Sequence, residues 1–370
     1  MAYNRFLGKI ISKIMKKITF LLPKPSLTPA GGYKVVFEYS NMLVKDGYLV
    51  SIVYPSLLRG KITLKSLYNS IKNYIKFYLL KYRLRDSWFS IDAQVVQKML
   101  FRISERYLPK SDVYIATSVE TAMDLNEIKT DAHMMYLIQH FESWITSDEN
   151  VIQTYSNGMT NIVISRWLFN IVSQYSSNCT LIPNGFNFSI FNTYMLPKNR
   201  NKFNLMMLYH NIDWKGCNDS FAALEIVKSI YPECHVTIFG VPNRPDFLPD
   251  WYHYVQTPTP ETLNSLYNNA SIFLGASWYE GWGLTIGEAM ACSCAVVCTD
   301  NDGYKEMAID GKTALLSPIK QPKMLAENIL KLIENDDLRL LIAENGRRYI
   351  QDFTWQKSYS KLKTLIEIGA

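Results

Sequence analysis

The sequence predicts a doubly wound α/β fold repeated in two successive units, on three observations. Short apolar runs of strand length alternate with helical apolar periodicity along most of the chain, a pattern that builds mainly parallel sheets covered by helices. The 370 residues exceed one ordinary core and suit two domains of middling size. The alternation restarts after the polar stretch Leu196-Pro-Lys-Asn-Arg-Asn-Lys202, which follows the turn Pro183-Asn-Gly185 and reads as the connection. The expected units are residues 1–195 and 196–350, with residues 351–370 as a terminal helix packing back toward the first.

The elements follow in chain order. Over residues 1–17, Arg5, Lys9, Lys13 and Lys16 fall on one side of a helix and Leu7, Ile10, Ile11 and Ile14 on another. Ile18 to Leu22 is a strand-length run ended by Pro23 and Pro25. Beyond the turn Thr28-Pro-Ala-Gly-Gly32, the positions Val35, Val36, Tyr39, Met42 and Leu43 predict a helix stopped at Gly47, and Leu49 to Tyr54 is the next strand. Between residues 61 and 83, Lys61, Lys65, Lys72, Lys76 and Arg83 keep to an arc of roughly 60° on a helix. They lie beside an apolar face of Leu64, Leu67, Tyr68, Ile71, Ile75 and Tyr78. Strands follow at Val113 to Thr117, Met134 to Ile138, Ile162 to Ser165 and Cys179 to Ile182. The second half reads strand Phe203 to Tyr209, helix Asn218 to Tyr231, strand His235 to Phe239, helix Pro260 to Asn268, strand Ser271 to Leu274, helix Leu284 to Ala291 and strand Ala295 to Cys298.

Composition narrows the class. With 48% hydrophobic and 19% charged residues the chain is globular rather than disordered. Residues 1–37 hold seven basic residues and residues 57–85 hold eight, with no acidic residue in either. Taking these fifteen from the 39 basic residues leaves 24 against 33 acidic ones, so the positive charge is concentrated in the N-terminal half. These two basic amphipathic segments point to an anionic membrane surface as a partner; two helices packed on their own domain with solvated lysines are the alternative. No run of 18 apolar residues occurs, and lysines interrupt the N-terminal apolar positions. The expected location is therefore cytoplasmic, peripheral on the inner face of the membrane, with no nucleic-acid partner.

Metal chemistry is not expected. The six cysteines form no CxxC pair, and Cys292, Cys294 and Cys298 read as positions of a buried strand rather than zinc ligands. Asp300-Asn-Asp302 has the DxD form but reads as a loop and helix cap.

The segment Ser277-Trp-Tyr-Glu-Gly-Trp-Gly-Leu-Thr-Ile-Gly-Glu-Ala-Met290 says most about function. Glu280 and Glu288 stand on either side of a glycine-rich strand-to-helix turn. Backbone N–H groups of Gly283, Leu284 and Thr285 would open the helix and point at an anion, and ionised carboxylates accept hydroxyl protons. A tight turn with solvated glutamates is the bland reading of the same residues.

In these residues the chain resembles the retaining glycosyltransferases of family 4, which carry a Glu-x7-Glu motif in this setting. The resemblance extends to Gly31-Gly32, to Ile182-Pro-Asn-Gly-Phe-Asn-Phe-Ser-Ile-Phe191, to Lys215-Gly216, to Asp302-Gly-Tyr-Lys-Glu306 and to Phe353-Thr-Trp. It implies a GT-B fold, two Rossmann-like domains facing a central cleft. It also implies transfer of a hexose from a nucleoside diphosphate sugar to a hydroxyl of a glycan, here a lipid-linked surface polysaccharide intermediate, without metal or other cofactor. Carried onto this chain, Glu288 accepts the ribose hydroxyls, Glu280 contacts the donor sugar and Lys215 neutralises the diphosphate. Gly31 and Gly32 let backbone approach the donor diphosphate and the acceptor, and His140, with Gln139 beside it, faces the sugar or acceptor. Glu280, His140 and Lys215 are the implied catalytic set. One departure stands out: Tyr209-His210 occupies the place of the family's Gly-Arg, and a histidine cannot make the arginine's bidentate contact. Two other classes remain compatible, an epimerase acting on the sugar nucleotide and a non-catalytic sugar-nucleotide-binding subunit.

Overall fold

A computed structural model describes residues 15–58, 63–86 and 88–369, with the side chains of residues 80–87 left aside. The helix expected over residues 1–17 falls outside this set up to residue 14. The chain divides into two compact units. The first comprises the chain up to Val163, Phe169–Leu181 and the chain from Tyr359; the second comprises Ile164–Leu168 and Ile182–Ser358.

The first unit is a seven-stranded, wholly parallel sheet. Its strands are β1 (Lys17–Leu21), β2 (Leu49–Pro55), β3 (Val96–Leu100), β4 (Val113–Ala116), β5 (His133–Ile138), β6 (Thr160–Val163) and β7 (Cys179–Leu181), in the order β3-β2-β1-β4-β5-β6-β7. Helices α1 (Gly31–Lys45), α2 (Leu64–Asp86), α3 (Val119–Leu125), α4 (Asp148–Tyr155) and α5 (Arg166–Val172) connect them. The central strands are continuous apolar runs because helices cover both sheet faces: Ile18, Phe20, Ile52, Val53, Ile115 and Val163 are fully buried. Helix α1 buries Val35, Val36, Tyr39 and Leu43. It stops at Gly47, whose φ of 87° turns the chain so that the Tyr48 N–H reaches the Leu43 carbonyl at 3.1 Å. Strand β3 has no counterpart among the expected elements. It is an edge strand whose Val96 and Lys98 face solvent, so its mixed composition carries no apolar run.

The second unit repeats the plan with six parallel strands: β8 (Asn204–Tyr209), β9 (His235–Gly240), β10 (Tyr252–Gln256), β11 (Ile272–Gly275), β12 (Ala295–Thr299) and β13 (Ala314–Ser317), ordered β10-β9-β8-β11-β12-β13. Its helices are α6 (Cys217–Ile230), α7 (Pro260–Asn269), α8 (Leu284–Ala291), α9 (Pro322–Glu334) and α10 (Asp336–Ile350). All five residues of β12 are buried. Cys292 and Cys294 precede that strand rather than alternate along it: Cys292 is the C-cap of α8, and only Cys298 is a β12 residue. Arg200 is buried with no carboxylate partner among the described residues. Its guanidinium instead donates to the carbonyls of Met195, Tyr267, Ala270, Cys292 and Ser293, which satisfies the charge with backbone dipoles. The terminal helix α11 (Trp355–Ile368) joins the first unit from Tyr359 on, where Tyr359 and Lys363 both bond Asp46 at 2.7 Å.

Candidate functional site

In both sheets the strand order reverses once, between β1 and β4 in the first and between β8 and β11 in the second. Loops leaving the carboxyl ends of such neighbouring strands open a crevice where ligands of open α/β sheets bind. His210 and Lys215 follow β8, and Glu280 follows β11, so sequence-distant residues meet at the second switch point.

Small residues and backbone bonds lock the two loops together. Gly216 has φ 63°, and a Cβ there would stand 1.9 Å from the Ala276 carbonyl oxygen, so only glycine fits. The Trp278 N–H donates to the Trp214 carbonyl at 2.7 Å, and the Trp278 indole donates to Asp219 at 2.6 Å. This clamp sets Lys215 Nζ 2.6 Å from Glu280 Oε1, which also accepts from Ser277 Oγ at 2.9 Å. The two side chains are 23% and 16% exposed, shielded enough to strengthen the pair yet reachable by a ligand.

Three residues beyond Glu280, Gly283 takes φ 101° with the Tyr304 ring where a side chain would sit, and α8 starts at Leu284 with no side-chain cap. The first-turn N–H groups of Leu284 and Thr285 are therefore left for an anion. Glu288 lies one turn further along, buried at 5% exposure; Tyr267 Oη donates to its Oε2 at 3.4 Å. Glu280 and Glu288 thus belong to one wall of the second unit, on either side of the helix N-terminus.

His210 is oriented by its own loop. Its Nδ1 accepts the Ile212 N–H at 3.1 Å, which assigns the proton of the neutral ring to Nε2. Burial, and next the Lys215 ammonium, hold its pKa below the usual histidine value, with Glu280 opposing. At neutral pH His210 is therefore an uncharged Nε2–H donor beside Lys215 rather than a second cation.

At the first switch point the chemistry differs. Gly31 and Gly32 open α1, and the space over Gly32 is taken by Gln139, whose Nε2 donates to the Gly32 carbonyl at 3.1 Å. Gln139 is thus committed to the glycine turn. His140 Nδ1 lies 3.2 Å from the Phe141 carbonyl, which can only accept, so in the neutral ring the proton is on Nδ1 and Nε2 is the acceptor; the ring packs edge-on to Trp144 at 4.6 Å. Sequence reasoning passed over Glu142, two residues on. It is partly buried, accepts the Val119 N–H, and has its carboxyl pushed up to about 7, by desolvation first, with Glu120 raising it further. The signal was there as a carboxylate four residues beyond the end of a buried strand. Ser277 was missed as well, because nothing local marks a serine as the partner of Glu280.

The remaining expected positions serve the framework. Lys305 pairs with Asp300 at 3.2 Å and Asp302 at 3.6 Å, and Glu306 accepts the Arg166 N–H. Among the described residues no group of three or more His, Cys, Asp or Glu side chains is placed to hold a metal ion.

Comparison with known proteins gives this geometry a class. Residues 196–349 match the family described as glycosyl transferases group 1. The match lies within the second unit. That match corrects the resemblance to family 4, because the family that fits is the broader group 1 description and the match does not single out family 4 within it. An uncharacterised glycosyltransferase of Methanocaldococcus jannaschii is 36% identical over 107 residues, 29% of this chain and 30% of that protein. A D-inositol 3-phosphate glycosyltransferase of Corynebacterium jeikeium is 35% identical over 108 residues, 29% of this chain and 26% of that protein. The chain thus spans well under half the length of these curated relatives.

Solved structures extend the likeness to the whole fold. HepE of Anabaena, solved with UDP and glucose, superposes with a TM-score of 0.71 at 15% identity, covering 95% of this chain and 99% of that one. TarM of S. aureus gives 0.73 at 14% identity, covering 96% and 99%. The fold is GT-B, two doubly wound α/β domains.

Proposed function

We propose that this protein is a glycosyltransferase that moves a hexose from a nucleoside diphosphate sugar to a hydroxyl of a glycan, with retention at the transferred carbon. The observation that carries this reading is the Lys215–Glu280 pair set beside the uncapped N-terminus of α8. Lys215, the N–H groups of Gly283, Leu284 and Thr285, and the Nε2–H of His210 receive the diphosphate. Glu288 accepts the ribose hydroxyls, and Glu280 takes a hydroxyl of the sugar. Their contribution is charge stabilisation on the departing diphosphate and positioning of the reacting carbon. Glu280 is held by Lys215 and Ser277 and is not available as a base toward the acceptor. A diphosphate oxygen then takes the acceptor proton, which brings the acceptor in on the face that the diphosphate leaves.

The C-terminal edge of the first sheet, with Gly31, Gly32 and His140, takes the acceptor, which we read as a lipid-linked glycan at the inner face of the membrane. UDP is the first nucleotide to try, since HepE was solved with it. The test is release of nucleoside diphosphate that depends on both a UDP-hexose and an acceptor. Glu288→Ala is expected to abolish nucleotide binding in a calorimetric titration, and wild-type affinity in that variant would remove Glu288 from the site. Turnover of the donor to an epimer without acceptor would replace the transferase reading.

A further inference from the structure

Helix α2 holds to its own domain by one narrow edge. Ser70 and Phe77 are buried there, with Ser70 Oγ donating to the Ser56 carbonyl at 3.2 Å and the Phe77 ring 5.7 Å from that of Tyr54. On the next arc Leu67 is partly covered, but the other apolar side chains face solvent: Leu64 is 89% exposed, Leu79 78%, Tyr68 67%, Ile75 53% and Ile71 52%. At about 100° per residue these side chains, with Tyr74 and Tyr78, fill an arc of roughly 140° whose centre lies about 120° from the packed edge. A surface helix ordinarily turns such a stripe inward, so an outward one marks an interaction face. Lys65, Lys72 and Lys76 line one border of the stripe within roughly 40°.

We infer that α2 docks the protein on an anionic lipid surface, with Leu64, Ile71, Ile75 and Leu79 toward the acyl chains and Lys65, Lys72 and Lys76 on the phosphates. Charge decides the occupant. Residues 57–85 contain eight basic and no acidic residues, which suits anionic headgroups. A second copy packed across a two-fold axis would set the same lysines against one another. Tyrosines on the stripe suit the interface, where a ring is half wet. Among the described residues no helix is long and apolar enough to cross a membrane, so α2 lies on the surface rather than spanning it. The inference rests on the proposed membrane-borne acceptor only for its purpose, and its test needs neither donor nor turnover.

The experiment is co-sedimentation of the full chain with vesicles of phosphatidylglycerol and phosphatidylcholine, against vesicles of phosphatidylcholine alone. Wild type is expected to bind the anionic vesicles at low salt and to leave them at high salt. Ile71→Ser with Ile75→Ser should weaken binding at least tenfold, and Lys65→Gln, Lys72→Gln and Lys76→Gln together about a hundredfold. Unchanged thermal unfolding in both variants would separate this loss from misfolding, since all five side chains are exposed or outward. Equal binding to neutral vesicles, no binding, or wild-type binding by either variant overturns the inference. So does a dimer in size-exclusion chromatography that the isoleucine variant makes monomeric, because the face would then belong to a second copy. If vesicles are bound while no transfer to a short soluble acceptor is found, the catalytic reading fails and the docking surface stands.

Discussion

The two sheets reverse their strand order at equivalent places, and the loops that leave those places present opposite chemistry. Beyond β11 and β8, Lys215 and Glu280 form a charged pair, and His210 offers an N–H from Nε2. Beyond β5 and β1, His140 in its neutral form has Nε2 as an acceptor, Gln139 is engaged with Gly32, and the nearby carboxyl of Glu142 has its pKa raised to about 7 by burial. The second edge gathers donors and a cation, as an anionic group requires; the first gathers acceptors and weak acids, as hydroxyls require. One topology, used twice, leaves the choice of ligand to a handful of side chains at the strand ends.

The largest break in this contrast is expected from Lys215→Ala, which strips the second edge of its cation. We expect turnover to fall by about 10²–10³ in steady-state assays of diphosphate release, with little change in thermal stability. A loss below tenfold would mean that the helix N-terminus holds the diphosphate unaided.

Glu142→Gln sharpens the first edge. The folded carboxyl titrates at about 7, above the roughly 4.3 of an unfolded glutamate, so the folded state binds that proton more tightly. Its contribution to stability is fully present below the unfolded value and lost as pH rises through the folded one. At pH 8 the ionised Glu142 then costs about 3 kcal/mol, most of which the amide should restore. Thermal unfolding at pH 5 and pH 8 measures this, and an unaltered pH slope in the variant would show that Glu142 is not the group responsible.

Gly283→Ala should destabilise the second unit by about 2 kcal/mol through the left-handed φ and the contact with Tyr304. The measure is a denaturant midpoint, and an unchanged one would show that the α8 turn relaxes. The smallest effect concerns His210. As a neutral donor it should leave the donor KM flat between pH 7 and 8.5, and His210→Ala should raise that KM by about tenfold. A KM that falls steadily as pH drops from 8.5 to 7 would reveal a cationic imidazole instead.

Much of the framework was legible because it is written in local periodicity. The strands β1, β2, β4, β8, β9, β11 and β12 and the helices α1, α6, α7 and α8 carry apolar runs or stripes that neighbouring residues set by themselves. Edge strands β3 and β10 were not legible in the same way, since exposed residues such as Lys98 and His253 dilute the pattern, and β13 is a run of only four residues. The turn from Ser277 to Glu288 was visible as a site through its glycines. Its electrostatics were not: Lys215 and Glu280 are 65 residues apart in sequence and meet at 2.6 Å only because β8 and β11 are neighbours in the sheet.

Local order along the chain sets the α/β alternation, the restart after the polar stretch at residues 196–202, the glycine turn and the basic stripe of α2, because each depends on residues within one or two turns of one another. Long-range packing makes Glu280 a shared partner of Lys215 and Ser277, commits Gln139 to Gly32, and leaves His210 a neutral Nε2–H donor. It also decided that the apolar stripe of α2 faces outward. Those facts depend on which distant strand ends and helix faces pack together, and packing is a property of the whole chain rather than of any segment.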